Sequence, residues 1–171
     1  MKRFLRSVEI ALNAGDWYGA LSTALTLPDM CGRIEAPGAE TKARYIDWFS
    51  RYLLPHYTRS IGPDRRPHVF LHGEDCYALR CSYLHEGGGT ITEHKARRAL
   101  NSFHFVTPPG GGSIIHLNQH DAVLQLQVDI FCREMCAAVE HWLSDVGDDP
   151  VMTQRFGNLL EIHDWKQGVI F

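Results

Sequence analysis

The sequence has no apolar run near the roughly 20 residues that a membrane span needs. Its N-terminus begins Met1-Lys2-Arg3 in the manner of a secretory leader, but Arg6 and Glu9 interrupt the apolar region such a leader requires, so a cytoplasmic location is expected. The cysteines are few and odd in number (Cys31, Cys76, Cys81, Cys132 and Cys136), with no Cys-x-x-Cys pair. That disfavours both a zinc ribbon and a disulfide framework and leaves reduced, buried thiols as the expectation. A Walker-type phosphate loop, a Gly-x-Ser-x-Gly nucleophile elbow, a paired-carboxylate motif and an internal repeat are all missing. An excess of positive charge is missing too. At a formal net charge of -3 the chain has no general attraction for nucleic acid, so any such contact must come from a local basic patch.

What is present is the composition of an ordinary folded protein. With 171 residues, 44% hydrophobic and 22% charged, the chain has the size of one domain, residues 1–171, able to bury a core without staples. Phe4, Leu5, Val8 and Leu12 recur at helical spacing. Asp16 opens a second helical run through Trp17, Leu21, Ala24 and Leu25, which Pro28 is expected to end, with a loop from Pro28 to Gly38. Tyr45, Ile46, Phe49, Tyr52 and Leu53 mark a third helix stopped by Pro55, and residues 56–67 are expected to form a connector. A fourth helix starts after Gly73, carries Glu74 and Asp75 in its first turn and stops at Gly87-Gly88-Gly89. Residues 101–107 and 113–118, around Pro108-Pro109-Gly110-Gly111-Gly112, suggest a two-stranded hairpin. From Asp121 to about Val146 the three-four spacing of Leu124, Val128, Phe131, Met135, Val139 and Trp142 predicts a long amphipathic helix. A short helix is expected between Pro150 and Glu161, followed by an apolar tail, Trp165 to Phe171, that packs on the rest. The expected fold is mainly α, a helical bundle with an inserted β-hairpin.

The fourth helix carries the chemistry. Cys76, Tyr77, Ala78, Leu79, Cys81, Tyr83 and Leu84 cover nearly its whole circumference, which implies burial among helices or at a subunit interface. Arg80 lies in the middle of this run. A buried guanidinium without a partner costs several kcal/mol, so it must meet a carboxylate, an interface or an anionic ligand. Glu74, Asp75 and Asp129 are the candidate carboxylates. His85 falls in the last turn, where the partial negative charge of the helix end attracts a protonated ring. Positions five apart differ by about 140° around a helix, so Arg80 must reach around to meet His85. Arg-His pairs at similar spacing also occur at Arg51 and His56, Arg66 and His72, and Arg98 and His104. Only Arg80 and His85 share one uninterrupted helical context.

Two short basic clusters stand out, Arg65-Arg66, which reads as a solvated face, and His94-Lys95-Ala96-Arg97-Arg98. Lys95, Arg97 and Arg98 are candidate binding residues, with Glu74 and Asp75 placed to assist or orient. His116 and His120, four apart and with His85, His94, His104 and Asp121 as further donors, are a weaker metal candidate. His116 falls in an expected strand, so one helical face cannot be assumed. No metal or cofactor is expected.

The segment Ala78-Leu79-Arg80-Cys81-Ser82-Tyr83-Leu84-His85-Glu86-Gly87 resembles the signature of the HEPN superfamily: an Arg followed after four to six residues by His near a helix end. It shares an apolar residue before each, and a Gly soon after the His. Cys81 departs from the polar residue that often follows the Arg. The resemblance implies a HEPN-like helical bundle acting as a homodimer, with two copies of the motif in one cleft. It also implies a metal-independent endoribonuclease, of the kind that serves as a toxin restrained by an antitoxin partner or as an antiphage effector. Arg80 and His85 would be its catalytic pair. A catalytically silent HEPN-like domain that binds nucleotide, RNA or protein through the same cleft is the alternative.

Overall fold

In the computed structural model, residues 1–168 are described. Helix makes up 55% and strand 13%, so the mainly α expectation holds. The helices are α1 (Lys2–Asn13), α2 (Trp17–Glu35), α3 (Thr41–Tyr52), α4 (Gly73–Glu86), α5 (Val128–Val146) and α6 (Pro150–Phe156). No helix among the described residues is long and apolar enough to cross a membrane. The long helix α2 is central and packs on α1, α3 and α5, with α4 laid against α3. Trp48, Trp142, Tyr45, Tyr57, Phe49 and Phe131 fill the space between them with fully buried rings.

The second helix does not end at Pro28. It continues to Glu35 with Pro28 inside it, so the loop expected from Pro28 to Gly38 is largely helix. Proline removes one ladder hydrogen bond and crowds the preceding turn, at a cost of about 3 kcal/mol in a helix interior. Here Pro28 is buried between Leu27 and Cys31, and side-chain hydroxyls serve the carbonyls just upstream. Thr26 donates to the Thr23 carbonyl at 2.7 Å, and Tyr45 Oη reaches the Leu25 carbonyl at 3.5 Å. Core packing outweighs the local preference. The extra turns carry Asp29, Arg33 and Glu35. Glu35 receives the Trp142 indole N–H of α5 at 2.7 Å and pairs with Arg51 of α3, tying three helices at one point.

The strands also differ from expectation. The segment 56–67 is not a plain connector: β1 (Thr58–Ile61) and β2 (Arg66–Val69) form an antiparallel hairpin, turned at Gly62, where φ is 72°. Both strands are largely exposed, so no apolar period announced them. The hairpin expected between residues 101–107 and 113–118 does not form. β3 (Ser102–Val106) instead pairs in parallel with β5 (Val123–Gln127), and β4 (Asn118–His120) pairs with β5 in antiparallel. The Pro- and Gly-rich stretch that looked like a turn is part of the long crossover a parallel pair requires. β5 takes the residues assigned to the start of the long helix, because Leu124 and Leu126 are buried with period two, so α5 begins only at Val128. The last helix is shorter than expected, ending at Phe156. Trp165 in the tail is 79% exposed rather than packed, and residues 169–171 of that tail lie outside the described residues.

The segment 90–100 runs back along α4 and is held at both ends. Ser82 Oγ donates to the Thr90 carbonyl at 3.0 Å. At the other end the fully buried Asp75 carboxylate accepts the backbone N–H groups of Arg98, Ala99 and Leu100, at 2.7 to 3.3 Å. A carboxylate is affordable inside the core only because several donors converge on it. Removing it strands those N–H groups. Asp75→Ala is therefore expected to lower the unfolding free energy by about 3 kcal/mol in urea denaturation. A loss under about 1 kcal/mol would show that water replaces the carboxylate there.

Candidate active site

Arg80 and His85 do meet. Arg80 Nη1 lies 3.3 Å from His85 Nε2, the guanidinium reaching around α4 across the angular offset between the two positions. A guanidinium can only donate, so the ring nitrogen accepts, and the Nε2 lone pair faces Arg80. Gly87 makes this helix end possible. It adopts a left-handed conformation, φ 70° and ψ 11°, and its N–H bonds the Tyr83 carbonyl at 3.0 Å while that of Gly88 reaches Ser82 at 3.3 Å. This is the αL close of a helix, with the left-handed glycine's N–H on the carbonyl four residues back. It leaves His85 exposed at the last turn.

The carboxylate partner of Arg80 is none of the three candidates read from the sequence. Asp29 of α2 accepts from Arg80 Nε at 2.7 Å, with the two side chains only 14% and 21% exposed. Asp75 is committed to residues 98–100, Glu74 faces Arg98 at 3.5 Å, and Asp129 pairs with Arg133 at 2.8 Å. Burial pulls the Arg80 guanidinium down, but Asp29 and Cys81 outweigh it and leave its pKa raised. Burial also raises the Asp29 carboxyl above its ordinary value, with Arg80 and Arg44 drawing it the other way. Such a pair adds little net stability, yet it holds the guanidinium in one orientation.

Arg80 and His85 line different hollows, which share no lining residue. Arg80 lines a cleft of about 580 Å³ between α2, α3, α4 and α6. His85 lines another of about 640 Å³ with Cys81, Ser82, Thr90 and His94. None of the basic candidates lines this second hollow. Lys95 is exposed, Arg97 donates to Asn101 Oδ1 at 2.8 Å, and Arg98 faces Glu74. Glu74 and Asp75 sit at the opposite end of α4 from His85, about 16 Å away at 1.5 Å per residue. The path of residues 90–100 thus lays the basic cluster alongside the helix that bears the pair.

Sequence reasoning missed Asp29, because its helix was expected to stop one residue earlier, and it missed Arg33, Arg44 and Arg155, which share the cleft with Arg80. Their positions on three separate helices leave no spacing to detect. His116 and His120 are not brought together. His116 is buried against Glu134, with Nε2 3.4 Å from the carboxylate, whereas His120 is almost fully exposed. Among the described residues no group of three or more His, Cys, Asp or Glu could hold a metal ion. All five cysteines are free thiols, three buried and two half-buried, and burial pushes Cys76, Cys132 and Cys136 up to about 12.

The Asp29 carboxyl gives a pH dependence with a definite sign. Its folded pKa is raised, so the folded state holds the proton more tightly than the unfolded chain. The stability this contributes is present below the ordinary carboxyl value, about 4, and is lost as pH rises through the folded value. The stability of the parent relative to Asp29→Asn, measured by urea unfolding, is expected to shrink as pH is raised across that window. A difference that grows with pH would mean that the Arg80 attraction exceeds the burial cost.

Compared with family models, curated proteins and solved structures, the chain matches none of them.

Proposed function

We propose that this chain is a metal-independent endoribonuclease of the HEPN type, with Arg80 and His85 as its catalytic pair. The observation that carries the reading is the 3.3 Å contact between Arg80 Nη1 and His85 Nε2 at an exposed helix end. It sets a general base beside a fixed positive charge, and RNA cleavage without a metal needs both. In this scheme the substrate phosphate draws the Arg80 Nη1 donor off His85 Nε2, and the freed lone pair takes the proton from a ribose 2'-hydroxyl as that oxygen attacks the adjacent phosphorus. Arg80 neutralises the charge that builds on the non-bridging oxygens. The bond to the 5'-oxygen breaks, and the leaving oxygen takes a proton, giving a 2',3'-cyclic phosphate and a 5'-hydroxyl. One imidazole cannot serve both proton transfers in a single step, so a homodimer, with the second His85 as the acid, completes the chemistry.

The Asp29 contact favours a second reading, a silent domain that uses the same residues for binding. A guanidinium already engaged by a carboxylate has fewer donors for a transition state. Cleavage of single-stranded RNA in EDTA separates the two. The enzyme reading predicts cyclic-phosphate ends, and a rate loss of at least about a hundredfold in both Arg80→Ala and His85→Ala while their thermal unfolding stays cooperative. Cleavage that persists in both variants contradicts it, and binding without product establishes the silent domain.

A further inference from the structure

The cleft that Arg80 lines has a composition the proposed cleavage does not use. Four guanidinium groups converge on it from four helices: Arg33 of α2, Arg44 of α3, Arg80 of α4 and Arg155 of α6. Against them stands one carboxylate, Asp29, in a chain whose overall charge is negative. We propose that this cleft binds a multiply charged phosphate anion, the class that includes pyrophosphate and nucleoside triphosphates as well as neighbouring phosphodiesters of a nucleic-acid strand. The proposal stands whether or not Arg80 and His85 cleave RNA.

Three of the arginines are anchored through one nitrogen each. Arg33 Nη1 donates to the Pro37 carbonyl, Arg44 Nη1 to Ala39 at 3.0 Å, and Arg155 Nη1 to Ile34 and Glu35 at 2.6 and 2.8 Å. Satisfying the carbonyls at the end of α2 accounts for Arg155 as a cation at a helix C-terminus, while Arg33 serves the Pro37 carbonyl in the loop beyond it. It does not account for the rest. Among the described residues none of these three forms a salt bridge, although Arg44 is near enough to act on the Asp29 charge, so three cations share the one carboxylate that Arg80 already engages. Two polar atoms at the site are buried and have no hydrogen-bond partner, Arg44 Nε and Asp29 Oδ1. Buried polar groups are ordinarily satisfied, and of these two atoms only Arg44 Nε is a donor; left unpaired beside further guanidinium groups, it calls for an acceptor, whereas Asp29 Oδ1 offers an anion nothing.

The choice of phosphate follows from number and shape. One carboxylate ligand would leave most of the positive charge uncompensated, whereas a di- or triphosphate supplies several charges and acceptors within a short span. The planar guanidinium fork matches phosphate oxygens two at a time. The anchoring bonds hold the forks in place before the ligand arrives, which lowers the ordering cost of binding. A volume of about 580 Å³ accommodates a ligand of this size.

Calorimetric titration of the full chain tests the proposal with three probes: pyrophosphate, ATP, and a single-stranded DNA oligonucleotide, which lacks the 2'-hydroxyl that cleavage would need. Pyrophosphate is expected to bind and to be weakened about tenfold in both Arg33→Gln and Arg44→Gln, the effect of losing a charge-assisted contact. Arg66→Gln, on the β1–β2 hairpin, is expected to leave it unchanged. Arg33 is exposed, so its variant is expected to melt with the parent. ATP binding without oligonucleotide binding assigns the site to free polyphosphates. Oligonucleotide binding that pyrophosphate displaces assigns it to strand phosphates. No binding of any probe, affinity unaltered in the Arg33 and Arg44 variants, or an oligonucleotide that pyrophosphate does not displace overturns the proposal.

Discussion

The ion pair between Arg80 and Asp29 is the constraint around which the rest of the molecule is arranged. A guanidinium in the middle of an apolar helix cannot be buried alone, so α4 can dock only where a carboxylate meets it. That carboxylate lies 51 positions away, on the turn of α2 just beyond a proline. α2 must therefore run through Pro28, α4 must lie close enough for a 2.7 Å contact, and the Arg80 side chain must point so that its other end reaches His85. Burial works against the Asp29 charge even with Arg80 beside it. The pair is a device for geometry more than for stability.

Other buried polar groups work in the same way. Asp75 gathers three backbone donors and so fixes where residues 98–100 lie, and Ser82 fixes Thr90, so that the basic segment is laid along α4. Glu35 draws Trp142 and Arg51 to the end of α2, and Arg155 caps the carbonyls beside it. The aromatic core supplies the bulk of the favourable burial, but it is indifferent to small rotations of a helix about its axis. These convergent contacts are directional, and they set which side of each helix faces the two hollows. The arginine cleft lies at this same convergence, although only Arg155 of its four arginines serves the carbonyls at the end of α2.

The helices were legible in the sequence wherever one face is apolar and the other is not, as in α1, α3 and the body of α5. The start of α5 was obscured because Leu124 fits a three-four pattern and a period-two pattern equally well, and pairing with β3 decides between them. The exposed hairpin carried no apolar signal at all. The end of α2 was misjudged because proline's local cost is visible in sequence and the packing that overcomes it is not. At the site, Arg80 and His85 could be singled out, since a charge in an apolar helix and a histidine before three glycines are local anomalies. Asp29 and the companion arginines could not, because their relation to Arg80 exists only after four helices have packed.

The central claim is that Arg80 and His85 act as one unit, held by Asp29. A double-mutant cycle on RNA cleavage tests it most directly, with kcat/KM measured for Arg80→Ala, His85→Ala and the combined variant. Residues that serve one transition state together are strongly non-additive. The account predicts that the combined variant is no slower than the slower single variant; losses that multiply would contradict it.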